Sequence, residues 1–211
     1  MNGYMKPQDI EKRSFEIITA ELGERTFPAG IAEVVKRVIH TTADFDYADS
    51  LVFSPDVIEK AKAALAAGAT VVTDTNMALS GVSKVTLAKL GGKAVCLMAD
   101  EQVASEAKAR GVTRAVVSME HAAKFEGPLL FAIGNAPTAL IRLHELIEEG
   151  IVAPALVIGV PVGFVNVVEA KELFIGGDTP YIIARGRKGG SNVAASIVNA
   201  LLYQLVHREG F

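Results

Sequence analysis

The rhythm of apolar positions changes at Gly68. Before it, apolar residues recur at three- and four-residue intervals, which predicts helices over residues 7–22, 29–42 and 55–67; Pro28 and Pro55 suit helix starts, and Gly23 and Gly68 suit stops. After it, short runs rich in β-branched residues predict strands at 70–73, 94–98, 115–118, 129–133, 155–160 and 181–184. Helical stretches separate most of these runs, most clearly at 101–110, 136–149 and 193–206. The strand runs carry apolar residues on both faces, as a parallel sheet covered by helices on each side requires. The predicted fold is a single-domain α/β architecture: a mostly parallel, doubly wound sheet flanked by helices, with a helical N-terminal part.

A chain of 211 residues buries one substantial core, and no Pro/Ser-rich linker, charge block or internal repeat divides it, so residues 1–211 read as one domain. Half of the residues are hydrophobic, which excludes a disordered tail. With 21 Lys and Arg against 24 Asp and Glu, the formal charge of -3 gives no general attraction to nucleic acid, so any anion site is local. Neither a signal peptide at residues 1–8 nor an apolar run of bilayer length is visible, and no membrane role is expected. The single cysteine, Cys96, sits in an apolar run and forms no internal disulfide, which points to a cytoplasmic setting.

Polar residues gather at predicted strand ends: Asp74 to Asn76, Asp100 and Glu101, Gly134 and Asn135, Gly159 to Gly163, and Arg185 to Ser191. Ligands of doubly wound folds collect beyond the carboxyl ends of the strands, so these segments are candidates for one rim. In the segment Phe131 to Leu140 a strand runs without spacer into a helix start, where Asn135 is placed to cap, Pro137 is tolerated in the first turn, and free amides are available to a carboxylate or ring carbonyl. Arg185-Gly-Arg-Lys-Gly-Gly-Ser191 joins three cations to flexible backbone; it reads either as a solvated turn or as a seat for several carboxylates. Asp74, Asp100 and Glu101 are candidates for acid/base work or for helix capping. No ordered dinucleotide fingerprint, Walker loop or nucleophile elbow is present, and neither Ser14 nor Ser191 has an evident base.

The four histidines differ in setting. On the helix at 29–42, Ile31, Val34, Val35, Val38 and Thr42 share one stripe, while Glu33, Lys36, Arg37 and His40 lie opposite. His40 therefore faces solvent, another subunit or a ligand. Lys36 and Arg37 favour its neutral form, and an arriving carboxylate would reverse that bias and leave an imidazole able to donate a proton. His121 follows a predicted strand and belongs either to the rim or to an ordinary loop. His144 falls near an apolar helix stripe and reads as a packing residue, and His207 lies in the terminal segment. Their spacing is not that of a metal site.

Taken together, Arg13-Ser-Phe15, Val38-Ile-His-Thr-Thr42, Ala132-Ile-Gly-Asn-Ala-Pro-Thr-Ala-Leu140, Gly159-Val-Pro-Val-Gly-Phe164, Lys171-Glu172 and Arg185 to Ser191, in this order along nearly the whole chain, resemble the precorrin-8X or cobalt-precorrin-8 methylmutase family. The resemblance implies a homodimeric isomerase of cobalamin biosynthesis that needs no cofactor. It moves a methyl group around ring C of a corrin precursor, from C11 to C12, converting precorrin-8X to hydrogenobyrinate or cobalt-precorrin-8 to cobyrinate. It further implies that His40 is the catalytic histidine and protonates the ring C nitrogen, and that Arg13 and Ser14 contact the macrocycle or its side chains. Arg114, Asn135, Arg185 and Arg187 are implied in positioning the substrate. Without the resemblance, the residues alone support an anion-binding α/β protein. A cofactor-binding oxidoreductase, a corrinoid carrier and an interaction protein that uses the His40 face remain as alternatives.

Overall fold

The computed structural model describes residues 7–206; His207 lies outside the described residues. The N-terminal part is helical, with α1 (Pro7–Leu22), α2 (Ile31–Thr42) and a single turn α3 (Tyr47–Ser50) leading to strand β1 (Leu51–Phe53). Helix α4 (Val57–Ala66) precedes β2 (Thr70–Thr73), and α5 (Asn76–Gly81) and α6 (Lys84–Lys89) lead to β3 (Lys93–Cys96). Helices α7 (Glu101–Arg110) and α8 (Arg114–Ala122) come before β4 (Leu129–Ile133). The chain closes with α9 (Pro137–Glu148), β5 (Leu156–Gly159), α10 (Val167–Glu172), β6 (Tyr181–Ala184) and α11 (Ser191–Leu205).

Among the described residues six strands form one sheet in the order β1-β6-β5-β4-β2-β3, parallel except for β1, which runs antiparallel against β6 with Leu51 opposite Ala184. Strands β2, β4, β5 and β6 are buried at every position. Their alternate residues feed two separate cores, as the two-residue strand period demands. Leu130 and Ala132 of β4 pack under α2, α4 and α11, whereas Leu129, Phe131 and Ile133 pack under α8, α9 and α10. From β2 the chain moves outward to β3, then returns across the sheet to β4 and continues the other way to β5 and β6. The strand order therefore reverses between β2 and β4, and that is where a doubly wound sheet opens a crevice.

The structure corrects the sequence reading at several places. Residues 115–118 are not a strand but part of α8, whose start is capped by the Thr113 hydroxyl accepting the Val116 N–H. The Val116-Val117 pair mimics a strand, but Ala115, Val117, Ser118, Met119 and Ala122 are buried in a helical pattern, and a four-residue apolar run cannot separate the two cases. His121 consequently lies in the last turn of α8, within 2.8 Å of Glu106, and not at a strand end. Strand β1 and the short helices α3, α5, α6 and α10 carry too few residues for a period to show. Asp100 settles as a helix cap, accepting the N–H groups of Gln102 and Val103. His144 packs edge-on against Phe174, with ring centroids 5.5 Å apart. Among the described residues no helix is long and apolar enough to cross a membrane.

Phe131 is fully buried at the centre of the sheet. Phe131→Ala is expected to cost about 3–5 kcal/mol of stability, measurable as a lower urea midpoint without a change in slope.

Candidate functional site

The crevice at the strand reversal is filled by the protein itself. Asp74, at the end of β2 and inaccessible to solvent, accepts the backbone N–H of Gly134 at 2.9 Å and those of Asn135 and Ala136 at 2.8 and 2.7 Å. Burial pushes its carboxyl up from the ordinary carboxylate value, while the three N–H donors pull it back down. The amides that the sequence offered to an external carboxylate are thus already bound to an internal one. Asn135 does not cap α9: the cap position is Ala136, with no side-chain cap bond, and the Asn135 side chain is exposed.

The same junction meets the start of α11. A side chain at Gly134 would collide at 2.7 Å with the Gly190 carbonyl and the Ser191 Cα, so glycine is required there for close approach. Thr75, which caps α5, lies 2.7 Å from the Ser191 hydroxyl. Ser191 is therefore engaged in holding β2 to α11 and is not poised as a nucleophile.

His40 sits in the last turn of α2 on its exposed flank. Its ring stacks on Phe15 of α1, with centroids 5.2 Å apart and planes within 15°. The Arg37 guanidinium covers the Phe15 ring at 4.6 Å and the Tyr203 ring of α11 at 5.3 Å, and it is ion-paired to Glu11. Desolvation against this packing lowers the His40 pKa, Arg37 lowers it further, and Glu11 opposes both. The neighbouring Ser14 hydroxyl donates to the Ile10 carbonyl at 2.8 Å, and the exposed Arg13 pairs with Glu16 at 3.0 Å. The structure thus brings the Arg13–Phe15 segment to His40 through Phe15. Beside it an open groove of about 320 Å³ runs from Arg37 and Thr41 of α2 to Asn192 at the start of α11.

The basic loop between β6 and α11 is tied to the segment that follows His40. Lys188 donates to Asp44 and to Asp46, both at 2.6 Å, which holds the Asp44 carboxyl below the usual range and raises the Lys188 ammonium. Arg185 is exposed and makes two bonds to Glu172, at 3.1 and 3.2 Å. Arg187 lies 5.4 Å from the ring of Phe164, which is 82% exposed and followed by Val165 at 78%. Arg114, exposed at the start of α8 in the layer of the other core, directs its guanidinium at the Met98 carbonyl, 3.5 Å away.

Two residues named in the sequence take roles here that it did not indicate. Asp74 read as a strand-end acid for acid/base work or helix capping, and its actual partners lie some sixty residues along the chain. Lys171 is fully buried in α10, where its ammonium donates to the Gly186 and Lys188 carbonyls, each at 2.8 Å, and burial lowers its pKa to about 8. Among the described residues no cluster of three His, Cys, Asp or Glu side chains is arranged to hold a metal ion.

With this geometry in place, comparison with known proteins is decisive. The family model described as CbiC, precorrin-8X methylmutase, matches residues 9–204. The chain belongs to the precorrin-8X methylmutase family. It is 46% identical to the cobalt-precorrin-8 methylmutase of Salmonella typhimurium, covering 97% of this chain and 99% of that one. It is 40% identical to the precorrin-8X methylmutase of Pseudomonas aeruginosa, covering 92% and 94%. A crystal structure of precorrin-8X methylmutase from Thermus thermophilus superposes with a TM-score of 0.86 at 39% identity, covering 92% of this chain and 94% of that chain. The family also has members named for cobalt-precorrin-8 in Priestia megaterium, at 45% identity over 93% of this chain and 88% of that relative.

Two measurements test the site's construction. Asp74→Ala orphans three backbone donors and is expected to lower stability by about 3–5 kcal/mol in urea, with Asp74→Asn losing roughly half as much because one oxygen still accepts. In an NMR titration His40 is expected below the ordinary 6.5. Arg37→Gln removes the cation that disfavours imidazolium and leaves Glu11 to favour it, so the titration should move to higher pH.

Proposed function

We propose that the chain is a methylmutase that rearranges precorrin-8X or cobalt-precorrin-8 by moving one methyl group on ring C from C11 to C12. The observation that carries this reading is His40: an imidazole on the exposed flank of α2 held flat on Phe15, with desolvation against that packing, then Arg37 and Glu11, setting its charge. An isomerisation within one molecule needs no nucleophile and no paired carboxylates; it needs an oriented substrate and one proton donor at the right place.

In the free protein His40 is biased toward its neutral form. A polycarboxylate macrocycle brings negative charge beside it, which favours imidazolium, so the ring takes up a proton from solvent and holds it for transfer. Transfer of that proton to the ring C nitrogen draws electrons from the conjugated system, and the methyl migrates suprafacially in a 1,5-sigmatropic shift. Return of the proton completes the isomerisation, with no atom gained or lost. Catalysis then resides in stabilising the protonated, electron-poor transition state over the bound substrate.

The remaining residues suit binding. The exposed Phe164 and Val165 offer an apolar surface next to Arg187, and Arg185 adds a second guanidinium, which matches a flat ring system with carboxylate arms. Arg13, Ser14, Arg114 and Asn135 complete the assignment as substrate contacts. The chain acts as a homodimer in this reading, the second copy covering the His40 flank and the outward-facing Ile10 and Ile17 of α1, which are 50% and 44% exposed. A monomer with full activity would refute that part.

The deciding experiment incubates the protein with the metal-free and the cobalt-containing precursor and follows each rearranged product. Turnover of one or both is expected. His40→Ala should fold normally by circular dichroism yet lose about 10²–10⁴-fold in kcat. Near-normal turnover rejects His40 as the donor, and tight product binding without turnover by the unmodified protein replaces the enzyme reading with a carrier.

A further inference from the structure

The loop that carries Arg185 and Arg187 has no regular structure, yet its backbone is held from several sides. Lys171 Nζ bonds the carbonyls of Gly186 and Lys188, the Gly163 N–H bonds the intervening Arg187 carbonyl at 3.1 Å, and the Gly190 N–H bonds the Val160 carbonyl at 2.9 Å. Three consecutive carbonyls are thereby engaged inward, with Gly186 at φ +77° supplying the turn. The two arginine side chains project outward and are exposed. The adjacent residue, Glu172, holds the Arg185 guanidinium itself. One turn of α10 thus controls both the backbone and a side chain of the loop.

Lys171 stands out because an ammonium without solvent is costly unless its donors are used and its charge is balanced. Among the described residues its partners are carbonyl dipoles, with no ion-paired carboxylate. A neutral donor of similar length would have sufficed to satisfy a carbonyl. A buried charge here also binds two acceptors more tightly than neutral donors do and adds positive potential directly beneath a surface of cations.

We propose that Lys171 is a positioning residue for substrate binding: its buried ammonium fixes the 186–188 backbone in the conformation that presents Arg185 and Arg187 to the carboxylate arms of the substrate. The inference rests on the reading of that loop as the substrate's carboxylate seat. Lys171 itself touches no substrate and acts through the two arginines. Its loss is therefore a loss of affinity more than of chemistry, since the proton donor His40 lies on a different element.

The test measures KM and kcat on the precursor that the unmodified protein turns over, for Lys171→Met, Lys171→Gln, Lys171→Arg, Arg185→Ala and Arg187→Ala, with a thermal melt of each. Lys171→Met and Lys171→Gln are expected to raise KM about tenfold while kcat stays within about threefold, and Lys171→Arg, which keeps charge and donors, to recover most of the affinity. A folded Lys171→Met or Lys171→Gln protein with KM within about twofold of the unmodified protein, while Arg187→Ala raises it about tenfold, overturns the proposal. Failure of all three Lys171 variants to fold marks the residue as purely structural and also overturns it. If Arg185→Ala and Arg187→Ala both leave KM unchanged, the loop is not the carboxylate seat and the underlying reading is what fails.

Discussion

The carboxylate of Asp74 joins the two halves of the sheet at the point where their winding reverses. Parallel strands β2 and β4 share ladder bonds along their length, but beyond Thr73 and Ile133 the backbone of β4 turns into α9 and leaves three N–H groups pointing at the crevice. Without a partner they would each carry a desolvation cost, and Asp74 supplies one acceptor group for all of them. The arrangement fixes the direction in which β4 leaves the sheet. That direction sets where Gly134 meets Ser191, and so where α11 begins. Helix α11 in turn packs along α2, the helix of His40. A buried acid with no place in the proposed chemistry therefore governs the position of the residues that have one.

Much of this fold was legible in the sequence, and the rest was hidden for identifiable reasons. Strands β2, β4 and β6 and helices α1 and α7 match their predicted bounds residue for residue, because their hydrophobic runs are bounded by Gly, Pro or capping residues. Residues 115–118 were misread because β-branched residues on a buried helical face look like a strand, and the Thr113 cap that decides the matter is a single residue. The outward orientation of His40 was visible in its helical wheel. Its platform, Phe15, was visible only as part of a motif, since nothing local says that α1 lays that ring against α2. Asp74 and Lys171 act on backbone atoms, and backbone acceptors and donors have no letter in the sequence.

Most cations of the candidate site are paired with carboxylates of the protein itself. Arg13 pairs with Glu16, Arg185 with Glu172, and Lys188 with Asp44 and Asp46. Exposed pairs of this kind contribute little to stability, so exchanging an internal carboxylate for one on a ligand costs little. The neutral bias of His40 keeps a further positive charge from accumulating among these cations. Local cation density is thereby reconciled with an overall acidic chain.

The three residues of β1 have a bearing on how the molecule comes into being. Leu51 to Phe53 precede their partner β6 by about 130 residues, and α11, the helix packed on α2, follows later still. Strand β1 must wait for nearly the whole chain to find its ladder partner, and α2, which packs locally on α1 and α3, waits as long for α11. Long-range closures of this sort slow folding and leave apolar surface open during synthesis. The flank that bears His40 is thus completed only by a helix nearly at the far end of the chain, so its shape depends on almost the whole sequence being present.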